Sequence, residues 1–156
     1  MAIDPTTIFS KKGISVEQAF NICLIFYNRL WPSIEPKLHD LDHDAAVVHD
    51  LFFTSTCSGF ECSGEWMEAV FRITHVPKSE QKNRLLLTEE EVFLCTIEFC
   101  KVCKDSFNWD LKYILYLLDA MQSDFQKHSF EWSLWRQAVE RSYIKTFFHI
   151  DWNSEL

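Results

Sequence analysis

The sequence predicts a mainly α protein: a single compact domain of five or six helices over residues 1–156. Residues 1–14 form an irregular lead-in, and residues 66–76 are open to either a helix or one short β element. Three observations lead there. Only 3 Gly and 4 Pro punctuate the 156 residues, whereas sandwiches, barrels and doubly wound folds need many turn residues. Apolar residues make up 47% of the chain and aromatic residues 15%, with 14 Phe and 6 Trp, which is ample material for a buried core at this length. Finally, apolar residues recur at spacings of three and four, the period of a helix packed on one face.

The first helix is expected from Ser15 to Trp31. Ser15 with Gln18 three residues on is a capping box, in which each partner satisfies a backbone donor of the other. Val16, Ala19, Phe20, Ile22, Cys23, Leu24, Ile25, Phe26, Tyr27 and Leu30 surround its axis, so this helix should be central and buried. Pro32 and Ser33 are expected to break the chain, with Ser33 capping a second helix that runs to Phe53. Ile34, Leu38, Leu41, Ala45, Val48 and Phe52 make its apolar seam; Asp40, Asp42, Asp44, Asp50, His39, His43 and His49 crowd its other faces.

Residues 54–64 are small and polar and read as a loop. From Glu65 to Val76 two patterns compete. Trp66, Ala69, Val70 and Ile73 have helical spacing, while Met67, Ala69, Phe71 and Ile73 alternate as in a strand. A helix to about Arg72 with an extended tail is the favoured reading. Residues 77–87 form a polar link. Thr88 with Glu91 is a second capping box, opening a helix to about Asp105 with Val92, Cys95, Phe99 and Val102 inward. Asn108 can cap a helix from Trp109 to about Gln122 that turns Leu111, Ile114, Leu115, Leu118 and Met121 inward. A last helix follows Ser129, on which Trp135, Val139, Tyr143 and Phe147 repeat every four residues.

Charge is unevenly spread. Of a formal net charge of −8, residues 35–68 contribute −7, with one Lys against eight acids; residues 69–87 sum to +3. An acidic surface repels nucleic-acid phosphates and anionic membranes, so neither is an expected partner; a basic protein is the electrostatic match. The longest unbroken apolar run, Ile22 to Tyr27, is far shorter than the 18 or so residues a membrane span needs, and no secretory signal is visible. The expectation is a cytoplasmic protein with reduced cysteines, Cys23, Cys95 and Cys100 serving as small core hydrophobes.

Catalytic motifs are sparse. GxSxG, GxGxxG and GxxxxGK[ST] are absent. His39, Asp42 and His43 could place three ligands side by side on a helix and so support a metal-dependent hydrolase, but Asp50 stands too far along the same helix to join them. The His-Asp dipeptides at 39, 43 and 49 resemble HD phosphohydrolases in the dipeptide alone, and no role is carried over. Cys57 and Cys62 with Cys100 and Cys103 are a second conceivable metal set, weakened by the helical setting of the latter pair. No cofactor is expected.

The expected function is therefore a protein-interaction module: an acidic helical protein that binds and neutralises a basic partner. Its charge and size are similar in kind to bacterial immunity proteins and antitoxins that occlude cationic nuclease toxins. The expected contact set is Asp40, Asp42, Asp44, Asp50, Glu61 and Glu65, with Trp66 as an aromatic anchor because Trp is enriched at interface hot spots. Trp109, Trp132 and Trp152 also fall near element ends, where they could reach the surface.

Overall fold

Ser15 caps the first helix of the described residues as its sequence implies: its Oγ accepts a hydrogen bond from Gln18 N at 3.1 Å. In this computed structural model, which describes residues 9–40, 63–107, 111–145, 150 and 152, and the backbone alone over 35–40 and at 84 and 107, the helix so capped is α1, Val16–Asp40. Its apolar residues from Val16 to Leu30 are buried on all sides.

Helix α1 does not break at Pro32; it runs 25 residues in one piece. A proline inside a helix removes one backbone hydrogen bond and crowds the carbonyl four residues earlier. Here that carbonyl belongs to Asn28, whose side chain, like those of Pro32 and Ser33, lies on the solvent side, so water can satisfy the freed group. Leu30, Trp31 and Ile34 flank Pro32 and are all buried. Packing on both sides of the proline holds one continuous register, and residues 33–40 of the expected second helix are the last part of α1, while 41–53 lie outside the described residues. Of its predicted seam, Ile34 is buried as expected; the rest lies outside the described side chains.

Residues 66–76 form no strand. Helix α2, Ser63–Thr74, buries Ser63, Trp66, Met67, Ala69 and Val70 while Phe71 and Arg72 face solvent, which is the helical pattern rather than the alternating one. It ends at His75, which adopts φ 63° and donates from its N to Phe71 O at 2.7 Å. Left-handed geometry at this position lets the backbone close on the helix's orphan carbonyls. The expected polar link contains structure instead: α3, Lys78–Arg84, and strand β2, Leu86–Leu87. Gln81 explains α3. It is fully buried, and its Nε2 donates to Met67 O at 2.9 Å and Val76 O at 3.1 Å, stitching the short helix to the end of α2. Strand β2 pairs antiparallel with β1, Ile14–Ser15, in the register Ile14 with Leu87 and Ser15 with Leu86.

The second capping box is complete. Glu91 N donates to Thr88 Oγ1 at 3.2 Å and Thr88 N donates to Glu91 Oε1 at 2.9 Å, opening α4, Glu89–Phe107. Val92, Cys95, Phe99 and Val102 are buried as the spacing implies. Helix α5, Lys112–Ser123, turns Ile114, Leu117, Leu118 and Met121 inward; its expected Asn108 cap lies outside the described residues. Helix α6, Ser129–Ile144, departs from the expected four-residue repeat. Each four-residue step overshoots a full turn by about 40°. Trp135 and Val139 face inward, but by Tyr143 the seam has drifted, so Ser142 takes the buried place and Tyr143 is 50% exposed.

Among the described helices, all but α3 contribute to one continuous core. Helix α2 packs along α4, and α1 along α6. Aromatic rings bind the layers: Phe20 stacks on Trp66 at 5.5 Å, Phe26 meets Trp135 edge-on at 5.2 Å, and Phe93 lies 4.8 Å from Trp132. Phe9, in the lead-in, packs edge-on to Trp132 at 5.4 Å.

Candidate functional site

The acidic contact set falls largely outside the described residues: Asp42, Asp44, Asp50 and Glu61 all do, as does His43. Asp40 is the last residue of α1, with its side chain and that of His39 not described. Glu65 is half-buried in the first turn of α2. Asp40 and Glu65 are not brought together. Trp66 Nε1 donates to Val16 O at 3.1 Å, which sets the start of α2 beside the start of α1. Asp40 closes that helix 24 residues later, roughly 36 Å away at 1.5 Å per residue.

Trp66 itself is interior, and this corrects its expected role as a surface anchor. The side chain is 0% exposed, and its ring meets Phe99 edge-on at 5.8 Å besides stacking on Phe20. The same holds for two of the other tryptophans. Trp132 is buried with its Nε1 donating to Met121 O at 3.1 Å, and Trp152 is buried too; Trp109 lies outside the described residues. The Trp66 and Trp132 indoles each find a backbone acceptor inside, so the polar edge does not hold either ring at the surface.

Free thiols are buried at Cys23, Cys95, Cys100 and Cys103. Burial pushes the Cys95 and Cys100 thiols up to about 12, so both stay protonated and neither is a ready nucleophile. Tyr27, against which Cys100 packs, is raised well above its ordinary value by the same desolvation, and its hydroxyl donates to Thr96 O at 2.6 Å. These groups are buried, protonated and, at Tyr27, hydrogen-bonded. Among the described residues no group of three or more His, Cys, Asp or Glu side chains is placed to hold a metal ion.

Sequence reasoning missed Glu89. It stands first of three consecutive glutamates at the start of α4, where all three suit the positive helix end. Only Glu89 is fully buried. Its Oε2 accepts from Trp135 Nε1 at 2.9 Å, its Oε1 accepts from Lys11 N at 3.1 Å, and its own N donates to Lys11 O at 2.9 Å. The Arg136 guanidinium stands 3.4 Å from Oε2. The carboxylate thus joins the lead-in, α4 and α6. No sequence signal distinguishes Glu89 from Glu90, because its partners lie 46 and 78 residues away.

Beside this carboxylate, the first turns of α1 and the end of α6 enclose a polar cleft of about 290 Å³ lined by Ser15, Glu17, Gln18, Asn21, Ser142 and Tyr143. Gln18 Nε2 donates to Ser142 Oγ at 3.5 Å, and Ser142 Oγ donates to Val139 O at 2.7 Å. Asn21 Nδ2 donates to Glu17 O at 3.0 Å, and Glu17 Oε2 accepts from Ile150 N at 3.0 Å. Lys11 Nζ lies 5.6 Å from the centre of the Tyr143 ring. Partial burial, then the Glu89 carboxylate, raise the Tyr143 phenol above its ordinary value, against the opposing hydrogen bond from Gln18. Ser142 Oγ is aimed at a carbonyl and not at a base, so it is not an activated nucleophile.

No family model, curated protein or solved structure matches the chain.

Proposed function

We propose that this protein is an acidic protein-interaction module that binds a basic protein, in the manner of an immunity protein or antitoxin-type inhibitor occluding a cationic nuclease toxin. One observation carries the reading: residues 35–68 hold −7 of the net −8. Such a concentration of like charge speeds the encounter with an oppositely charged surface and penalises acidic competitors. Asp40, Asp42, Asp44, Asp50, Glu61 and Glu65 are the proposed contacts, and Trp66 is withdrawn from the set because it is buried. Exposed acids elsewhere, Asp105, Asp119, Asp124 and Glu140, add to the same field. No helix among the described residues is long and apolar enough to cross a membrane, so the partner is sought in solution.

The test is stopped-flow association with a basic nuclease domain at several ionic strengths, comparing the native protein with an Asp42→Lys, Asp44→Lys double variant. The native protein should associate faster as salt falls, and the variant should lose about tenfold or more of that rate at low salt. An association rate that ignores both salt and charge reversal removes the proposal.

A further inference from the structure

We draw no further inference here: the strongest candidate, the polar cleft between the first turns of α1 and the end of α6, carries none because its side chains bond mainly to one another and charges of both signs, Glu17 and Lys11, border it, so nothing in the structure selects the ligand it would hold.

Discussion

His75 holds φ 63° with a side chain attached, a conformation that puts Cβ against the following carbonyl and suits β-branched residues least. His75→Val should therefore lower unfolding free energy by about 1–2 kcal/mol, whereas His75→Gly should leave it unchanged or slightly higher. Urea denaturation of the two variants checks this; equal losses for both would mean that the ring, through its edge contact with Phe71, matters more than the backbone. The buried thiols make a second prediction at this scale. Cys95 and Cys100 titrate at about 12 in the folded chain against an ordinary 9.0, and Tyr27 is shifted in the same direction. The unfolded chain gives up these protons first, so above pH 9 the native state binds more protons than the unfolded one. Stability contributed by these groups is complete below about pH 9 and is lost as pH rises toward 12. Unfolding free energy followed by circular dichroism should fall across that window, and less steeply in a Cys95→Ala, Cys100→Ala variant. An unchanged slope in the variant would assign the alkaline loss to other groups.

At the scale of elements, α1 shows how far sequence reasoning reaches. The Ser15 cap and the Thr88 capping box were legible because a cap is local: each needs only a partner three residues away. The seam of α4 was legible because burial imposes one period on a helix, whereas over α2 the same apolar residues also fit a strand and only burial of Trp66, Met67, Ala69 and Val70 decides for the helix. Pro32 was misread since its cost is local but its compensation is not; Leu30, Trp31 and Ile34 bury themselves against other elements. Helix α3 was missed for the same reason, as Gln81 is polar in sequence and buried only because carbonyls of Met67 and Val76 await it. A continuous α1 predicts that Pro32→Ala restores a backbone donor to the helix and raises stability by about 1–2 kcal/mol, after allowing for the looser unfolded chain. Thermal or urea midpoints decide it. A loss of stability would mean that the proline marks a true break between two helices.

For the whole molecule, Glu89 ties three separate segments together at one buried carboxylate. Residues 78 positions apart meet at its backbone and carboxylate, and α6 reaches it through Trp135. Glu89→Ala should cost about 2–3 kcal/mol, because it strands the Trp135 N–H and removes the buried acceptor for Lys11. Replacing Trp135 by Phe should then cost less in the Glu89→Ala background than in the native protein, a coupling that a double-mutant cycle in urea measures directly. Additive losses would show that the hydrogen bond contributes nothing of its own. Of the candidate site, the acidic charge was legible by counting. The buried carboxylate and the cleft were not, since they depend on which residues a fold sets side by side.

The pairing of α1 with α6 also bears on how the chain is made. Synthesis proceeds from the amino end, so a helix apolar around most of its axis begins to emerge more than a hundred residues before the helix that covers one flank of it. At ordinary translation speeds that interval is on the order of ten seconds, during which α1 is a sticky surface without its final partner. Aggregation of the nascent protein during expression should therefore depend more on translation rate than the stability of the finished fold would suggest.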